Sequence, residues 1–558
     1  MREKFLNIQK LFKEKKYSEL IFFIESNFDK KNSQILNILA VTRLLRVKNQ
    51  ESYLAATEEF KDAYLKEKES QFGLEALTNL INSTVDFYNL AGPHDKSKDF
   101  LSDFTELVSF FNEANNFFGY KPDLISSVIR VFNQLGELDK SLYYYDLLYK
   151  KNDLTLDVAT SWIFMNNYKN NWDQEDYYNF SKIIDLKSTM YPKESLIPIV
   201  NKRVEKVKIG FLSSDIIDRH SITYFLKTIL LNYDEKKYEI YLFLNNIRED
   251  ETTNFFKSKV EETINISKIN DLQALNLIRE KKIDIVFDLM GTTSTNRVTL
   301  FKNRLAKIQI SWLGYCNTLG IGQMDYLISD PNLIYPEEEK LYHEKILYMP
   351  DIWSCHSGLE FQREEILAPF LENTHITFGS FNNFSKINEN VISVWSNILK
   401  KIPSSKLLLK TSQRKESYKI EEIFKKNLVI NNIEFIETKT AFKDHIDLYK
   451  KIDIAFDTFP YNGVTTSFEA IWMGVPVLTM KGYNFNSRCG ESIMINAGLT
   501  ELVADNEDDY INKAVNVAND KNLLLNLRKK VFSNTMVSPL FDVKKFSSDF
   551  YNLIDRLD

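Results

Sequence analysis

The alternation of short apolar runs with amphipathic stretches after residue 205 constrains the fold of this chain most strongly. The runs include KVKIGFL at 206–212, YEIYLFL at 238–244 and IDIVFDL at 283–289. Runs of this length, rich in Val, Ile, Tyr and Phe, indicate strands, and their alternation with helices is typical of parallel sheets covered by helices on both faces. The sequence therefore predicts an α/β fold for this region.

The number of apolar runs predicts two sheets rather than one. Seven further strand candidates lie at 308–313, 326–329, 376–381, 405–410, 433–436, 452–456 and 475–480. Ten strands are too many for one comfortable doubly wound sheet, and the polar, loop-like segment at 357–373 divides them. Two facing α/β domains bind a ligand in the cleft between the carboxyl ends of their strands.

Residues 1 to about 195 show a different pattern. Gly is rare there, and Leu, Phe and Tyr recur at three- and four-residue spacing, which predicts helices. The segment 135–148, a glycine turn followed by an amphipathic stretch, resembles the second helix of a tetratricopeptide repeat, and 11–25 and 45–60 are similar. A degenerate repeat array and an irregular helical bundle both fit. Either would offer a concave face to a partner, and a connector at 196–204 follows.

Composition argues against several classes of protein. The net charge of −6 argues against a nucleic-acid protein that binds through a global basic field. No stretch approaches the roughly 20 apolar residues of a membrane helix, and charges interrupt the first twenty residues too often for a signal peptide. Cys316, Cys355 and Cys489 have no zinc-binding spacing and fit a reducing compartment. We expect a cytoplasmic protein without a nucleic-acid partner or a membrane span.

The segment DTFPYNGVTTSFEA at 457–470 carries the clearest chemistry. It follows a strand candidate and leads into a predicted helix. Gly463 would permit a tight turn, and Thr465 and Thr466 stand where the helix begins, so that their hydroxyls can cap it. Backbone N–H groups at such a helix start bind anions, above all phosphate. An ordinary capped helix is the alternative.

Charged side chains flank this segment in the predicted cleft. Glu469 lies one turn into the helix, where its carboxylate can accept hydrogen bonds from ribose hydroxyls. Lys386 follows the strand candidate at 376–381, and its charge can offset that of a diphosphate. Lys410 ends another strand candidate. A solvated surface lysine is the alternative for both.

Two of the six histidines occupy informative positions. His220 stands at a loop-to-helix junction after the first strand candidate, which makes it an acid/base candidate. A capping or structural role for it is equally open. His445, in a predicted helix at 443–450, can face a bound nucleotide, whereas His343 and His356 have no supporting context.

Absent motifs narrow the reaction further. No Gly-x-Gly-x-x-Gly follows a strand candidate, and no Gly-x-Ser-x-Gly is present, which disfavours a dehydrogenase and an α/β-hydrolase. No two Asp residues are separated by one residue, so the Asp-x-Asp metal site of many sugar transferases is missing. A mechanism without a metal remains, in which lysine and helix N-termini neutralise a leaving diphosphate.

Taken in order, these motifs resemble the O-linked N-acetylglucosamine transferase/SPINDLY family, in its bacterial type. The segments that carry the resemblance are SWLGYCNTLG at 311–320, MDYLISD at 324–330, FNNFSKI at 381–387, FDTFPYNGVTTSFEAIWMGVPVLTM at 456–480 and SR at 487–488. The resemblance spans roughly 205–556 and implies an inverting, metal-independent protein glycosyltransferase. Its catalytic region would have the GT-B arrangement of two facing Rossmann-like domains, preceded by an all-α, TPR-like domain.

The resemblance implies three domains and a role for the first. Their expected bounds are 1–200 for the helical domain, 205–365 for the acceptor-side domain and 374–558 for the nucleotide-sugar domain. The helical domain would recruit a protein acceptor. The donor would be a nucleotide sugar used as a co-substrate, with no metal and no other cofactor.

The resemblance also assigns roles to the donor side. Thr465 and Thr466 match the pair that holds the donor diphosphate, and Glu469 takes the place of the acidic residue that binds ribose. Asn462 and Gly463 precede the threonine pair in the same donor-binding segment.

Four further positions follow from the same match. Lys386 is similar to the lysine that stabilises the leaving nucleotide diphosphate. Asn383 stands where the family often has Gln beside the nucleotide, and His445 aligns with a His next to the nucleoside. His220 matches the His of the first loop, which lines the sugar and acceptor site.

Departures from the family pattern leave the donor sugar open. Val464 replaces a His of the animal enzymes, HSITYF at 220–225 is closer to the SPINDLY branch, and Thr292 stands where bacterial relatives often have His or Tyr. The animal branch uses UDP-N-acetylglucosamine (UDP-GlcNAc), which is the first expectation here. Plant SPINDLY proteins use GDP-fucose, so GDP-fucose or another nucleotide sugar is the alternative. A non-catalytic scaffold with a decayed site is the alternative from another class.

Overall fold

The chain divides into two compact units. The computed structural model describes residues 2–28, 32–91, 99–199, 206–361, 363–411, 417–437 and 442–557. The first unit contains residues up to 154, and the second contains 155–411 and 417 onward. Residues 200–205, which include most of the predicted connector, lie outside the described residues, and the predicted domain bounds stay a prediction.

The first unit is helical throughout its described residues. Its helices are α1 (Arg2–Lys13), α2 (Tyr17–Asn27), α3 (Ser33–Arg46), α4 (Gln50–Lys66), α5 (Gln71–Ala91), α6 (Phe100–Phe118), α7 (Pro122–Gln134) and α8 (Leu138–Lys150). Side-chain capping fixes where some of these helices begin: the side chains of Asn32 and Asn49 cap the N-termini of α3 and α4. Gly136, with φ of 68°, makes the turn between α7 and α8. The helix predicted within 135–148 is confirmed, and the unit is TPR-like.

The second unit opens with α9 (Leu156–Asn166), α10 (Gln174–Phe180) and α11 (Lys182–Lys187), followed by a seven-stranded parallel sheet. The strands are β1 (Val207–Ser213), β2 (Tyr238–Leu244), β3 (Glu262–Asn265), β4 (Ile285–Asp288), β5 (Ile308–Ser311), β6 (Tyr326–Ser329) and β7 (Lys345–Tyr348). The helices between them are α12 (Ser221–Leu230), α13 (Glu251–Lys257), α14 (Asp271–Glu280) and α15 (Val298–Lys302). The strands lie in the order β3-β2-β1-β4-β5-β6-β7, so the direction of winding reverses between β1 and β4.

A six-stranded parallel sheet follows, in the order β10-β9-β8-β11-β12-β13. Its strands are β8 (Thr377–Ser380), β9 (Lys406–Thr411), β10 (Ile433–Glu437), β11 (Ile454–Phe456), β12 (Val477–Met480) and β13 (Val503–Ala504). Its helices are α16 (Glu389–Lys401), α17 (Ser417–Lys426), α18 (Phe442–Ile446), α19 (Thr465–Trp472), α20 (Phe485–Asn496), α21 (Glu507–Asn519), α22 (Lys521–Thr535) and α23 (Val543–Ile554). Short 3-10 helices lie at Lys193–Ser195, Pro336–Leu341, Pro369–Leu371, Phe384–Lys386, Ile430–Asn432, Asp447–Lys451 and Thr500–Leu502.

All ten predicted strands are confirmed, and the described residues contain three more, β3, β7 and β13. Each of the three forms an edge of its sheet. An edge strand has one neighbour and is less buried, so its sequence carries a weaker apolar pattern. The sequence ETIN of β3, which is only half-buried or exposed, shows this directly.

One hydrophobic core extends through both sheets. The last helix, α23, packs on the first sheet although it follows the second in the chain: Phe550 lies 5.5 Å from the Phe287 ring and 4.9 Å from the Trp312 ring. Tyr551 Oη donates a hydrogen bond to the carbonyl of Ile229 in α12 at 3.1 Å. The C-terminal helix therefore links the two α/β halves, because it follows the second sheet in the chain and packs on the first.

Candidate active site

The candidate site lies where the strand order of the second sheet reverses. β8 and β11 are neighbours there, with Gly379 opposite Ala455. The segments that leave these strands, 381–388 and 457–464, therefore emerge side by side at the carboxyl edge of the sheet. Such a reversal leaves a crevice in which open α/β sheets bind their ligands.

Asp457 organises the loop after β11. Its carboxylate accepts hydrogen bonds from the backbone N–H groups of Gly463 at 2.6 Å and Thr458 at 2.9 Å, and from Thr479 Oγ1 at 2.8 Å. Burial raises the pKa of Asp457 to about 6, although these hydrogen bonds and the charge of Lys386 oppose the shift. Sequence reasoning did not select this residue. A carboxylate directly after a buried strand was the signal that could have found it.

Gly463 is required for a reason other than the predicted one. Its φ lies outside the left-handed region, so the turn itself does not need a glycine. A β-carbon at this position would lie 2.4 Å from Asn382 Oδ1 and 2.5 Å from Thr466 Oγ1. The glycine is therefore needed because two side chains approach the backbone closely.

The helix α19 begins at Thr465, as predicted, but the predicted capping by hydroxyls is wrong. Val464 is the N-cap residue, and no side chain caps the helix. Thr466 Oγ1 instead donates to Asn382 Oδ1 at 2.6 Å, and Asn382 Nδ2 lies 3.4 Å from Asp457 Oδ1. The start of α19 thus presents its positive end to the crevice without a capping side chain.

Lys386 lies beside this helix start. Its ammonium donates to the carbonyl of Asn462 at 2.7 Å and lies 3.9 Å from the centroid of the Tyr461 ring. Burial lowers the pKa of Lys386 to about 8, and the charge of Asp457 opposes the shift. The structure therefore favours the cleft position over a solvated surface lysine.

A connected polar cluster surrounds Glu469, one turn along α19, and includes His445, Tyr449 and Lys410. His445 Nε2 and Tyr449 Oη lie 2.9 Å and 3.0 Å from Glu469 Oε2, and Lys410 Nζ lies 3.4 Å from His445 Nδ1. Burial acts to raise the pKa of Glu469, but the combined effect of the His445 contact, the charge of Lys410 and the Tyr449 hydrogen bond lowers it. The cluster therefore holds an ionised carboxylate in a buried position. Lys410, left open by the sequence, belongs to it.

The two predicted asparagines take different positions. Asn383 is exposed, and its Oδ1 accepts from the backbone N–H of Ser385 at 2.9 Å. Asn462 is buried, where its Nδ2 donates to the carbonyl of Thr458 at 2.8 Å and its Oδ1 accepts from the N–H of Gly490 at 3.0 Å. The side chain of Asn462 thus holds the loop, while its backbone carbonyl meets Lys386.

His220 lies at the carboxyl edge of the first sheet. It is the N-cap residue of α12 but makes no capping hydrogen bond through its side chain. Its Nε2 lies 3.8 Å from Asp215 Oδ1, and its Nδ1 is buried without a partner among the described residues. Burial lowers the pKa of His220, and the charge of Asp215 opposes the shift. A largely neutral imidazole therefore lines this edge.

His356, which had no context in the sequence, joins the two halves of the unit. Its ring stacks on Tyr224 of α12 at 4.7 Å and on Phe468 of α19 at 5.9 Å. Burial lowers its pKa to about 4, so the ring is neutral at pH 7. These contacts place the carboxyl edges of the two sheets against each other.

Within the described residues, no three His, Cys, Asp or Glu side chains are grouped so that they could hold a metal ion. No helix among those residues is long and apolar enough to cross a membrane.

Two parallel α/β sheets with adjoining carboxyl edges define the GT-B class of glycosyltransferase folds, and here a TPR-like helical region precedes them in the chain. The family model for glycosyl transferase family 41 matches residues 180–359 and 367–550. The chain belongs to this family.

Known proteins agree with this assignment. The chain is 33% identical over 355 residues to a probable UDP-N-acetylglucosamine–peptide N-acetylglucosaminyltransferase SPINDLY of Solanum lycopersicum. The match covers 62% of this chain and 38% of that protein. A UDP-N-acetylglucosamine–peptide N-acetylglucosaminyltransferase of Caenorhabditis elegans is 22% identical, with 63% of this chain and 41% of that protein covered. The chain thus spans well under half the length of these relatives.

A solved structure shows the same fold. It is a variant of the O-GlcNAc transferase of Thermobaculum terrenum, with a TM-score of 0.79 and 21% identity, and the match covers 94% of this chain and 98% of that one.

Proposed function

We propose that this chain is an inverting glycosyltransferase that moves N-acetylglucosamine from UDP-GlcNAc to Ser or Thr hydroxyls of a protein, without a metal ion. The convergence of the Lys386 ammonium and the uncapped start of α19 in one crevice carries the proposal. Both present positive charge to the place where a nucleoside diphosphate would leave. The names of the relatives supply the choice of sugar and nucleotide.

The residues around the crevice suit the parts of such a donor. Among the described residues, both hydrogen-bond partners of Glu469 contact Oε2, which leaves Oε1 for a ribose hydroxyl. Thr465 and Thr466 begin α19 and would meet the diphosphate, and His445 would lie next to the base. Asn383 is exposed beside them and can reach the nucleotide.

The proposed reaction is a single displacement at the anomeric carbon. The acceptor hydroxyl oxygen attacks from the face opposite the diphosphate and forms the new bond as the bond to the diphosphate oxygen breaks. The departing nucleoside diphosphate keeps that electron pair, and Lys386 and the start of α19 stabilise its charge. His220 borders the acceptor side, and the hydroxyl proton leaves to a base that we do not assign.

Binding of nucleotides to the full chain tests the donor site. Thermal unfolding is followed by fluorescence with UDP, GDP, UDP-GlcNAc or GDP-fucose, each with and without EDTA. A ligand at 100 times its Kd stabilises the native state by about 2.7 kcal/mol, which gives a readable shift. A UDP-selective, EDTA-insensitive shift supports the proposal, and a GDP-selective shift moves the donor to GDP-fucose. No shift with any of the four would refute the donor site.

We further propose that the helical unit recruits the protein acceptor and that the protein acts in the cytoplasm. Phe22 of α2 is 73% exposed, so its substitution probes the surface of this unit without disturbing its core. Phe22→Ser should raise the KM for a protein acceptor and leave the affinity for UDP unchanged. An unchanged acceptor KM would count against recruitment through this surface, and cell fractionation tests the location.

A further inference from the structure

The segment that joins α9 to α10 contributes to the site from outside the matched family region. The family model matches from residue 180 onward, whereas Tyr168 precedes it and belongs to the same compact unit as both sheets. Tyr168 is 8% exposed.

Tyr168 packs on the aromatic ring that covers the candidate catalytic lysine. The rings of Tyr168 and Tyr461 are 5.1 Å apart, and the ring of Phe164 in α9 is 6.1 Å from Tyr461. The Lys386 ammonium also contacts Tyr461 and lies 3.9 Å from the centroid of its ring. Tyr461 is thus in contact with aromatic rings of the α9 segment and with the lysine.

A hydrogen-bonded asparagine ties the same segments together. Asn388 Nδ2 donates to the carbonyl of Tyr168 at 3.2 Å and to that of Phe459 at 2.9 Å. Asn388 Oδ1 accepts from the N–H of Val391 at 2.9 Å and so caps α16. One side chain therefore joins the α9 segment, the loop of Tyr461 and the helix that follows Lys386.

We propose that Tyr168 is a positioning residue for the transferase reaction, which holds the ring of Tyr461 against the Lys386 ammonium and so places that charge beside the start of α19. The proposal rests on the function proposed above, because it gives Lys386 its task. Tyr168 itself touches no reacting atom.

The groups that face Lys386 define what a change at Tyr168 should do. Asp457 after β11, Cys489 of α20 and Cys316 after β5 all act on Lys386, together with the Tyr461 ring. Substitution of Tyr168 alters none of these charges. It loosens the ring and admits water to the ammonium, so the desolvation that lowers the pKa of Lys386 should weaken.

Titration of Lys386 in the full-length protein tests this without reference to activity. Competitive acetylation with acetic anhydride across a pH series, read by mass spectrometry of the peptide that contains Lys386, gives its pKa. The wild type should titrate at about 8, and Tyr168→Ala should titrate roughly one unit higher, toward the value of about 10.4 for an exposed lysine. Tyr168→Phe should match the wild type, because the ring makes the contact rather than the hydroxyl.

Kinetics provide a second readout. Tyr168→Ala should lower kcat by about 10- to 100-fold with little change in donor KM, since the charge is misplaced mainly for the leaving group. The alkaline limb of the profile of kcat against pH should move to higher pH, because the ammonium form of Lys386 persists to higher pH. Tyr143→Ala, at a 63% exposed position of α8, is the matched control and should keep the wild-type Lys386 titration, donor KM and kcat at saturating acceptor.

The outcomes separate this proposal from the proposed function. An unchanged Lys386 titration in folded Tyr168→Ala overturns the positioning role, whatever the activity. A shifted titration in a protein whose wild type transfers no sugar supports the contact and overturns the function. If Tyr168→Ala does not fold, Tyr168→Leu fills much of the volume without the ring and should give a smaller shift in the same direction. No shift in a folded Leu variant overturns the proposal equally.

Discussion

The substitution Gly463→Ala tests the geometry of the loop after β11. The added methyl group would lie 2.4 Å from Asn382 Oδ1 and 2.5 Å from Thr466 Oγ1, where ordinary contacts begin near 3.4 Å. Neither atom can retreat freely. They are hydrogen-bonded to each other at 2.6 Å, and Asn382 Nδ2 also contacts Asp457.

The magnitude follows from two costs. Forcing a methyl group into a packed site costs about 1–3 kcal/mol, and loss of the hydrogen bond between Thr466 and Asn382 adds about 1 kcal/mol. We therefore expect the free energy of unfolding to fall by about 2–4 kcal/mol. Because the start of α19 must shift, one hydrogen bond to a bound diphosphate should also be lost, which at about 1.5–3 kcal/mol weakens UDP binding by roughly 10- to 150-fold.

Urea unfolding followed by circular dichroism gives the stability, and calorimetric titration with UDP gives the affinity. Gly322→Ala is the control, because a β-carbon there meets no atom within 4 Å and its φ lies outside the left-handed region. The control should stay within about 0.5 kcal/mol of the wild type. If Gly463→Ala behaved like Gly322→Ala in both measurements, the reasoning from close approach would be refuted.

Three further predictions concern charge. Lys386→Ala should lower kcat by about 10²–10³-fold while the protein stays folded, and wild-type turnover would remove its role. The lowered pKa of Glu469 means that its carboxylate stabilises the fold above the ordinary glutamate value of about 4.3 and loses this effect as pH falls through the lower native value. Glu469→Gln should abolish that acid-side loss in urea unfolding from pH 3 to 7, and an unaltered pH dependence would contradict it. Sugar transfer should survive dialysis against EDTA, and loss that Mg²⁺ or Mn²⁺ restores would show that a metal takes part.

The sequence alone determined the layers of this fold and the region of the candidate site. Strand runs and helical periodicity are local patterns, because a side chain's face follows from its position within one element. The ten predicted strands were found for this reason. The helix start at Thr465 was placed by its hydroxyl residues, although they do not cap the helix. Edge strands such as β13, with only two residues, carry too little pattern to be found in the same way.

The tertiary structure alone decided which side chains meet. Asn382 and Thr466 are 84 residues apart in the chain, and the carbonyl of Tyr168 meets Asn388 across 220 residues. No periodicity connects such positions. Hydrogen bonds and packing act over a few ångströms of space rather than over sequence distance. The structure therefore needs glycine at 463, gathers hydrogen bonds at Asp457 and places the Tyr461 ring over Lys386 only because neighbouring strands of the sheet bring their loops together.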